Sequence, residues 1–201
     1  MNQIRSVLAR LERQSLLEKA RKVDVTPERR MLAITPETAR FYHKLLRGIG
    51  AKKILELGTS SGYSTLWFAD AIMQNINPKI ITIEGSPAKT EMARANFEAA
   101  GVSRIIQIRH GQILDILQKM TKRPTFDFVL IDADKENVTK YFDLVLPMTQ
   151  IGGIIATDNV LLPRKYQKFM RKYTNHIRQN RHVVTGTIPL GYGQEITIRI
   201  S

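Results

Sequence analysis

Between residues 52 and 157, short and almost continuously apolar runs alternate with segments of helical periodicity, and this alternation constrains the fold most. The runs are KKILEL (52–57), KIITIE (79–84), RIIQI (104–108), FDFVLI (126–131) and GGIIAT (152–157). Helices are expected between them over 63–73, 87–100 (closed by Gly101), 114–120 and 137–148. Strands this apolar have both faces covered, which describes a mostly parallel sheet with helices on either side. A last helix over 165–178 leads to strands near HVVTGT (182–187) and QEITIRI (194–200). So short a connection as 189–193 favours an antiparallel pair at the end of the sheet. On that last helix Tyr166, Phe169, Tyr173 and Ile177 share a face and are read as core rather than as a stacking platform. The expectation is a doubly wound, Rossmann-like α/β sheet of seven strands with an antiparallel last strand.

The chain ahead of the first strand reads as helical. Residues 4–20 carry Ile4, Leu8, Leu11 and Leu16 at roughly helical spacing. Thr35-Pro36-Glu37 looks like a second start, with proline in the first turn and an acid near the positive helix end. That helix should run to Gly48 or Gly50. At 201 residues the chain is expected to form one domain, residues 1–50 being its N-terminal helical segment. A domain of that size buries about 70% of the surface its unfolded form exposes. No stretch approaches the roughly 18 apolar residues of a membrane span. The first residues also lack the apolar core of a signal peptide. The absence of cysteine removes disulfides, thiolate metal sites and Cys nucleophiles together, with the cytoplasm as the default location.

The net charge of +13 is unevenly placed. Residues 1–50 hold 11 Lys and Arg against 5 Asp and Glu, whereas residues 51–160 hold 12 of each. Residues 161–185 hold 7 basic residues and no acid. Basic flanks around a neutral centre suit either general solubility or a surface facing a polyanion such as RNA.

ILELGTSSGYS (54–64) is the most informative segment. Gly58 and Gly62 sit where a buried strand turns into a helix, and without a Cβ they let the chain bend and a ligand approach the backbone. The spacing lacks the third glycine of the dinucleotide fingerprint and the Gly-Lys-Ser/Thr of a phosphate loop. The next strand ends in Glu84, which can reach a ribose bound over the Gly58 turn, since one carboxylate accepts from two vicinal hydroxyls. Turn and acid together favour a nucleoside-bearing cofactor over a merely solvated acid. Glu56, inside an apolar strand, wants a partner, which a cationic amino-acid moiety could supply.

IDADKEN (131–137) and ATDNV (156–160) each follow an apolar strand at the carboxyl edge of the sheet. Neighbouring strands would bring Asp132 close to Asp158 and Asn159. Two carboxylates and an amide oxygen suit a hard cation such as Mg²⁺, although the acids could instead cap the following helices. Lys135 is either a surface lysine or, beside that cation, a base with a lowered pKa that takes a proton from a hydroxyl. The four histidines show no ligand spacing, and His110, just after the third strand, either borders the cofactor pocket or is incidental.

Together, ILELGTSSGYS, the strand ending in Glu84, IDADKEN and TDNV resemble the metal-dependent O-methyltransferases of the catechol and caffeoyl-coenzyme A type. The resemblance runs from about residue 31 to the C-terminus. It implies a class I S-adenosylmethionine-dependent methyltransferase domain. Glu56, Gly58, Ser64 and Glu84 match positions that bind the cofactor, Glu84 at the ribose, and Ile34 and Ile113 match positions lining the same pocket. Asp132, also counted with the cofactor site, matches a metal ligand together with Asp158 and Asn159, for Mg²⁺ or another divalent cation. Lys135 matches the catalytic base, with Asp132 beside it.

Members usually form homodimers and methylate a hydroxyl of a vicinal diol or related small molecule, while a bacterial branch methylates a hydroxylated uridine in transfer RNA. This chain departs from the pattern in a short NVLLPRK connection where plant-type members carry a longer substrate insertion. It also has Ile113 where a smaller residue is usual, and Tyr192 where an aspartate is common. The expected activity is methylation of a small catechol-like or phenolic acceptor. Transfer RNA is the second substrate class, and a non-catalytic nucleic-acid-binding protein is the reading from another class. The latter needs none of Asp132, Lys135, Asp158 and Asn159.

Overall fold

The computed structural model describes residues 3–123 and 125–201. Two helices, α1 (Gln3–Lys19) and α2 (Pro36–Gly48), precede β1 (Lys53–Leu57). There follow α3 (Tyr63–Ile72), β2 (Lys79–Glu84), α4 (Pro87–Ala99), β3 (Ile106–His110), α5 (Ile113–Lys119) and β4 (Phe126–Ile131). The chain ends with α6 (Val138–Val145), β5 (Thr149–Asp158), α7 (Gln167–Arg178), β6 (Val183–Ile188) and β7 (Gln194–Arg199). These strands form one seven-stranded sheet in the order β3-β2-β1-β4-β5-β7-β6. All pairings are parallel except those of β7, which lies antiparallel between β5 and β6. The doubly wound sheet with an antiparallel last strand is therefore the observed architecture.

Local sequence explains where the helices begin. Thr35 caps α2 by accepting the Thr38 N–H at 3.2 Å, with Pro36 following, and Ser86 does the same for α4 at 3.4 Å ahead of Pro87. Successive strand residues face opposite ways, so Ile54, Phe128, Leu130 and Ile154 pack under α1 to α4. Leu55, Leu57, Val129 and Ile155 pack under α5 to α7. Tyr42, Phe68 and Phe128 meet edge to face at centroid distances of 5.4–6.3 Å in the first layer.

Several expectations shift in detail. On α1 the buried stripe is Ile4, Val7, Leu8 and Leu11, while Leu16 is 69% exposed. Leu16 lies five residues beyond Leu11, and five helical steps turn a side chain off the stripe. On α7 the buried residues are Met170, Tyr173, Thr174 and Ile177. Phe169 is one position off that i, i+3, i+4, i+7 set, and Tyr166 only partly covers the core. β3 starts later than expected because residues 103–105 form a 3₁₀ turn, and β5 starts earlier, at Thr149. Among the described residues no helix is long and apolar enough to cross a membrane.

Candidate active site

The register lays the carboxyl ends of the central strands side by side. Leu57 pairs with Ile83 on one side and Ile131 on the other, and Ile131 pairs with Thr157. Gly58, Glu84, Asp132 and Asp158 thus leave the sheet along one edge. The strand order reverses between β1 and β4, the place where open α/β sheets bind ligands. Gly58 sits in this crevice at φ +94°, and a Cβ there would lie 2.1 Å from the Asp132 carbonyl oxygen. Gly58→Ala therefore meets both a forbidden backbone angle and a backbone clash. It is expected to cost about 3 kcal/mol or more, read by urea denaturation, and to weaken any ligand bound over the turn.

A cleft of about 600 Å³ opens over this edge. Met31, Leu32 and Ala33 form one wall, Gly58, Ser60 and Glu84 the floor, and Ile113 a side. Asp132, Lys135, Asp158 and Asn159 line the same cleft. The Glu84 carboxylate accepts the Ser60 and Ser86 amides, both at 2.8 Å, which fixes its position at the end of β2. Ile34, the next residue after that wall, is buried in the core. His110 Nδ1 meets the Glu84 carbonyl oxygen at 3.2 Å, at the end of β3.

Glu56 and Ser64 lie beneath the floor. Glu56 is wholly buried and accepts hydroxyl donors from Ser64 and Thr65 on α3 and from Thr82 on β2, at 2.5–2.6 Å. Within the chain, three hydroxyls partner this carboxylate. Burial pushes the Glu56 pKa up to about 7 against these three hydrogen bonds.

At the other end of the cleft Asp158 is 2% exposed. Burial first and the charge of Asp132 second push its pKa up to about 7. Lys135 is 5% exposed and donates to Asp132 Oδ1 at 3.1 Å, so it is no surface lysine. Asn159 follows Asp158 in the left-handed region, at φ 67°. Among the described residues no three His, Cys, Asp or Glu side chains are grouped to hold a metal ion. The set contains two carboxylates, with an amide oxygen as the third donor. Two carboxylates drawn together in a buried pocket repel, and a hard cation accepting oxygen donors relieves that repulsion. The donor chemistry therefore fits a divalent cation, with Asp132, Asp158 and Asn159 as the residues to hold it.

Gln194 and Tyr42 complete this end and were not read from the sequence. The Gln194 amide donates to Asp158 Oδ1, and the Tyr42 hydroxyl donates to Gln194 Oε1 at 2.5 Å. Tyr42 lies on α2, 152 positions from Gln194, so nothing local announces the pair. Lys19, Lys89, Lys165 and Tyr192 also line the cleft. The Tyr192 carbonyl accepts the Leu161 and Leu162 amides, both at 3.0 Å, tying the 189–193 turn to the loop after Asn159.

A family model described as O-methyltransferase matches residues 7–199. The chain belongs to the O-methyltransferase family. It is 38% identical over 132 residues to a catechol O-methyltransferase of Niastella koreensis, covering 65% of this chain and 59% of that protein. That match, like the similar one to a Mycobacterium tuberculosis relative at 58%, spans under two thirds of the relative's length. Identity to caffeoyl-CoA O-methyltransferase 1 of Zea mays is 28% over 203 residues, covering 92% of this chain and 78% of that one. An O-methyltransferase from Bacillus cereus, solved in complex with SAH, superposes with a TM-score of 0.81 at 26% identity. That comparison covers 96% of this chain and 90% of the other. The family expected from the quoted motifs is thus the family to which the chain belongs.

Proposed function

We propose that this protein transfers a methyl group from S-adenosylmethionine to a hydroxyl of a small catechol-like or phenolic acceptor, with the help of a divalent cation such as Mg²⁺. The observation that carries the reading is the meeting of buried Lys135 with Asp132, Asp158 and Asn159 in the same cleft as Gly58 and Glu84. Glu84, pinned by two amides, offers its carboxylate to the ribose hydroxyls, and the Gly58 turn lets the cofactor lie against the backbone. A bound divalent cation would supply Lewis acidity, orienting the acceptor oxygens and lowering the pKa of the one that attacks the methyl group. Lys135 Nζ, in its neutral form, would take that hydroxyl's proton as the oxygen–methyl bond forms and the sulfonium–methyl bond breaks to release S-adenosylhomocysteine. Much of the remaining rate comes from holding acceptor and methyl donor in line. A cytoplasmic location, the default for a chain without cysteine, and the homodimer that the resemblance implies belong to the same proposal.

A second reading, methylation of a hydroxylated uridine in transfer RNA, has its own observation. Arg164, Lys165, Lys168, Arg171 and Lys172 are exposed on and just before α7, and Lys165 reaches the cleft wall. Nucleic-acid binding without catalysis would leave the buried Lys135–Asp132 pair without a use.

Lys135→Met tests the catalytic assignment. The variant is expected to lose at least about a hundredfold in kcat toward a catechol, with the cofactor KM within about threefold of wild type. Labelled-methyl transfer over a cofactor titration reads both, and an unchanged kcat would remove Lys135 from the chemistry.

A further inference from the structure

We propose that Glu18, in the last turn of α1, is a positioning residue that latches the 31–34 segment over the cofactor cleft. The inference rests on reading that cleft as the methyl-donor site. Residues 30–35 have no regular secondary structure, yet Met31, Leu32 and Ala33 form a cleft wall. Within 31–34 two backbone amides donate to side chains outside the segment, and ahead of it the Arg30 N–H donates to the Thr26 carbonyl at 3.0 Å. The Met31 N–H donates to Glu18 Oε2 at 2.9 Å, and the Leu32 N–H donates to Ser60 Oγ at 3.2 Å. Ser60 in turn donates its own amide to Glu84 Oε2. Helix, strap, glycine turn and Glu84 are therefore joined by one run of hydrogen bonds.

The base of the latch is rigid. Ile4, Val7, Leu8 and Leu11 bury one face of α1, Arg5 pairs with Asp70 at 2.7 Å, and Glu12 accepts the Tyr63 hydroxyl at 2.6 Å. Gln14 donates to the second Glu18 oxygen at 2.9 Å, so the carboxylate is held in the orientation that meets Met31. An amide donating to a carboxylate makes a stronger bond than a neutral pair, and here it adds to the burial of Met31 and Ile34 in the core in ordering the segment. A wall ordered before the ligand arrives spares the ligand that ordering cost.

The test compares Glu18→Ala, Glu18→Gln and Arg5→Ala with the full-length wild type. SAH binding is measured by calorimetry, and Met31 and Leu32 amide exchange by NMR. Glu18→Ala is expected to weaken SAH about tenfold and to speed exchange at both amides by a similar factor. Glu18→Gln keeps an acceptor oxygen and should stay within about threefold of wild type. Arg5→Ala loosens the same helix at a site remote from the strap, and should lower Tm while leaving SAH affinity unchanged. Wild-type affinity and unchanged exchange in Glu18→Ala would overturn the latch. So would an equal loss of affinity in Arg5→Ala, which would make the effect one of helix docking. Failure of wild type to bind SAH would strike the methyltransferase reading instead, and the amide exchange would still decide the latch.

Discussion

Asp158→Ala is expected to reduce cation-dependent methyl transfer at least about a thousandfold, while SAH binding stays within about threefold. The two effects separate because Asp158 occupies one end of the cleft and Glu84 with the Gly58 turn the other. Asp158 is a buried acid facing Asp132, so its removal also relieves repulsion. Gln194, which loses its Asp158 acceptor in the variant, retains the Leu190 carbonyl at 3.3 Å. The fold should therefore survive. Steady-state kinetics over a Mg²⁺ titration, with calorimetry for SAH, read both halves. Wild-type turnover in the variant would remove Asp158 as a metal ligand.

The largest effect on stability is expected at Glu56. Glu56→Ala would leave Ser64, Thr65 and Thr82 hydroxyls facing a cavity in a fully buried site. A loss of about 3–5 kcal/mol follows from combining unsatisfied groups with lost packing. Glu56→Gln isolates the charge. The folded pKa of about 7 lies above the ordinary 4.5, so the folded chain binds more protons than the unfolded chain between those values. Stability from this group is then fully present at low pH and falls as pH rises from about 4.5 to 7, levelling off above. Glutamine does not titrate, so the variant should gain on wild type across that window by up to about 3 kcal/mol. Urea denaturation at several pH values between 5 and 8 reads the difference, and a gap independent of pH would contradict it.

The parts of the fold legible in the sequence are those fixed by local pattern. KIITIE and FDFVLI are bounded by turns and charges, and both coincide with observed strands, β2 and β4. Leu16 and Phe169 fall off the buried stripes of α1 and α7 because those stripes are narrower than loose helical spacing suggests. In the site, residues at strand ends could be foreseen as neighbours, because a parallel sheet carries Gly58, Glu84, Asp132 and Asp158 to one edge. The surroundings of Glu56 could not. Its need for a partner is visible in an apolar strand, but which groups answer depends on how α3 and β2 turn toward it. The same holds for Gln194 and Tyr42, which only tertiary packing brings together. For Lys135 the sequence leaves surface and site open, and its burial against Asp132 removes the surface reading.

The most direct measurement is methyl transfer from labelled S-adenosylmethionine to a panel of catechols and, separately, to bulk transfer RNA, each with Mg²⁺ and with EDTA. The expected result is labelling of a catechol that depends on Mg²⁺ and disappears with EDTA. Labelling undiminished by EDTA, or transfer to neither substrate set under any condition, would contradict a cation-dependent O-methyltransferase. Mg²⁺-dependent labelling of RNA alone would keep the chemistry and move the acceptor to the exposed basic face along α7.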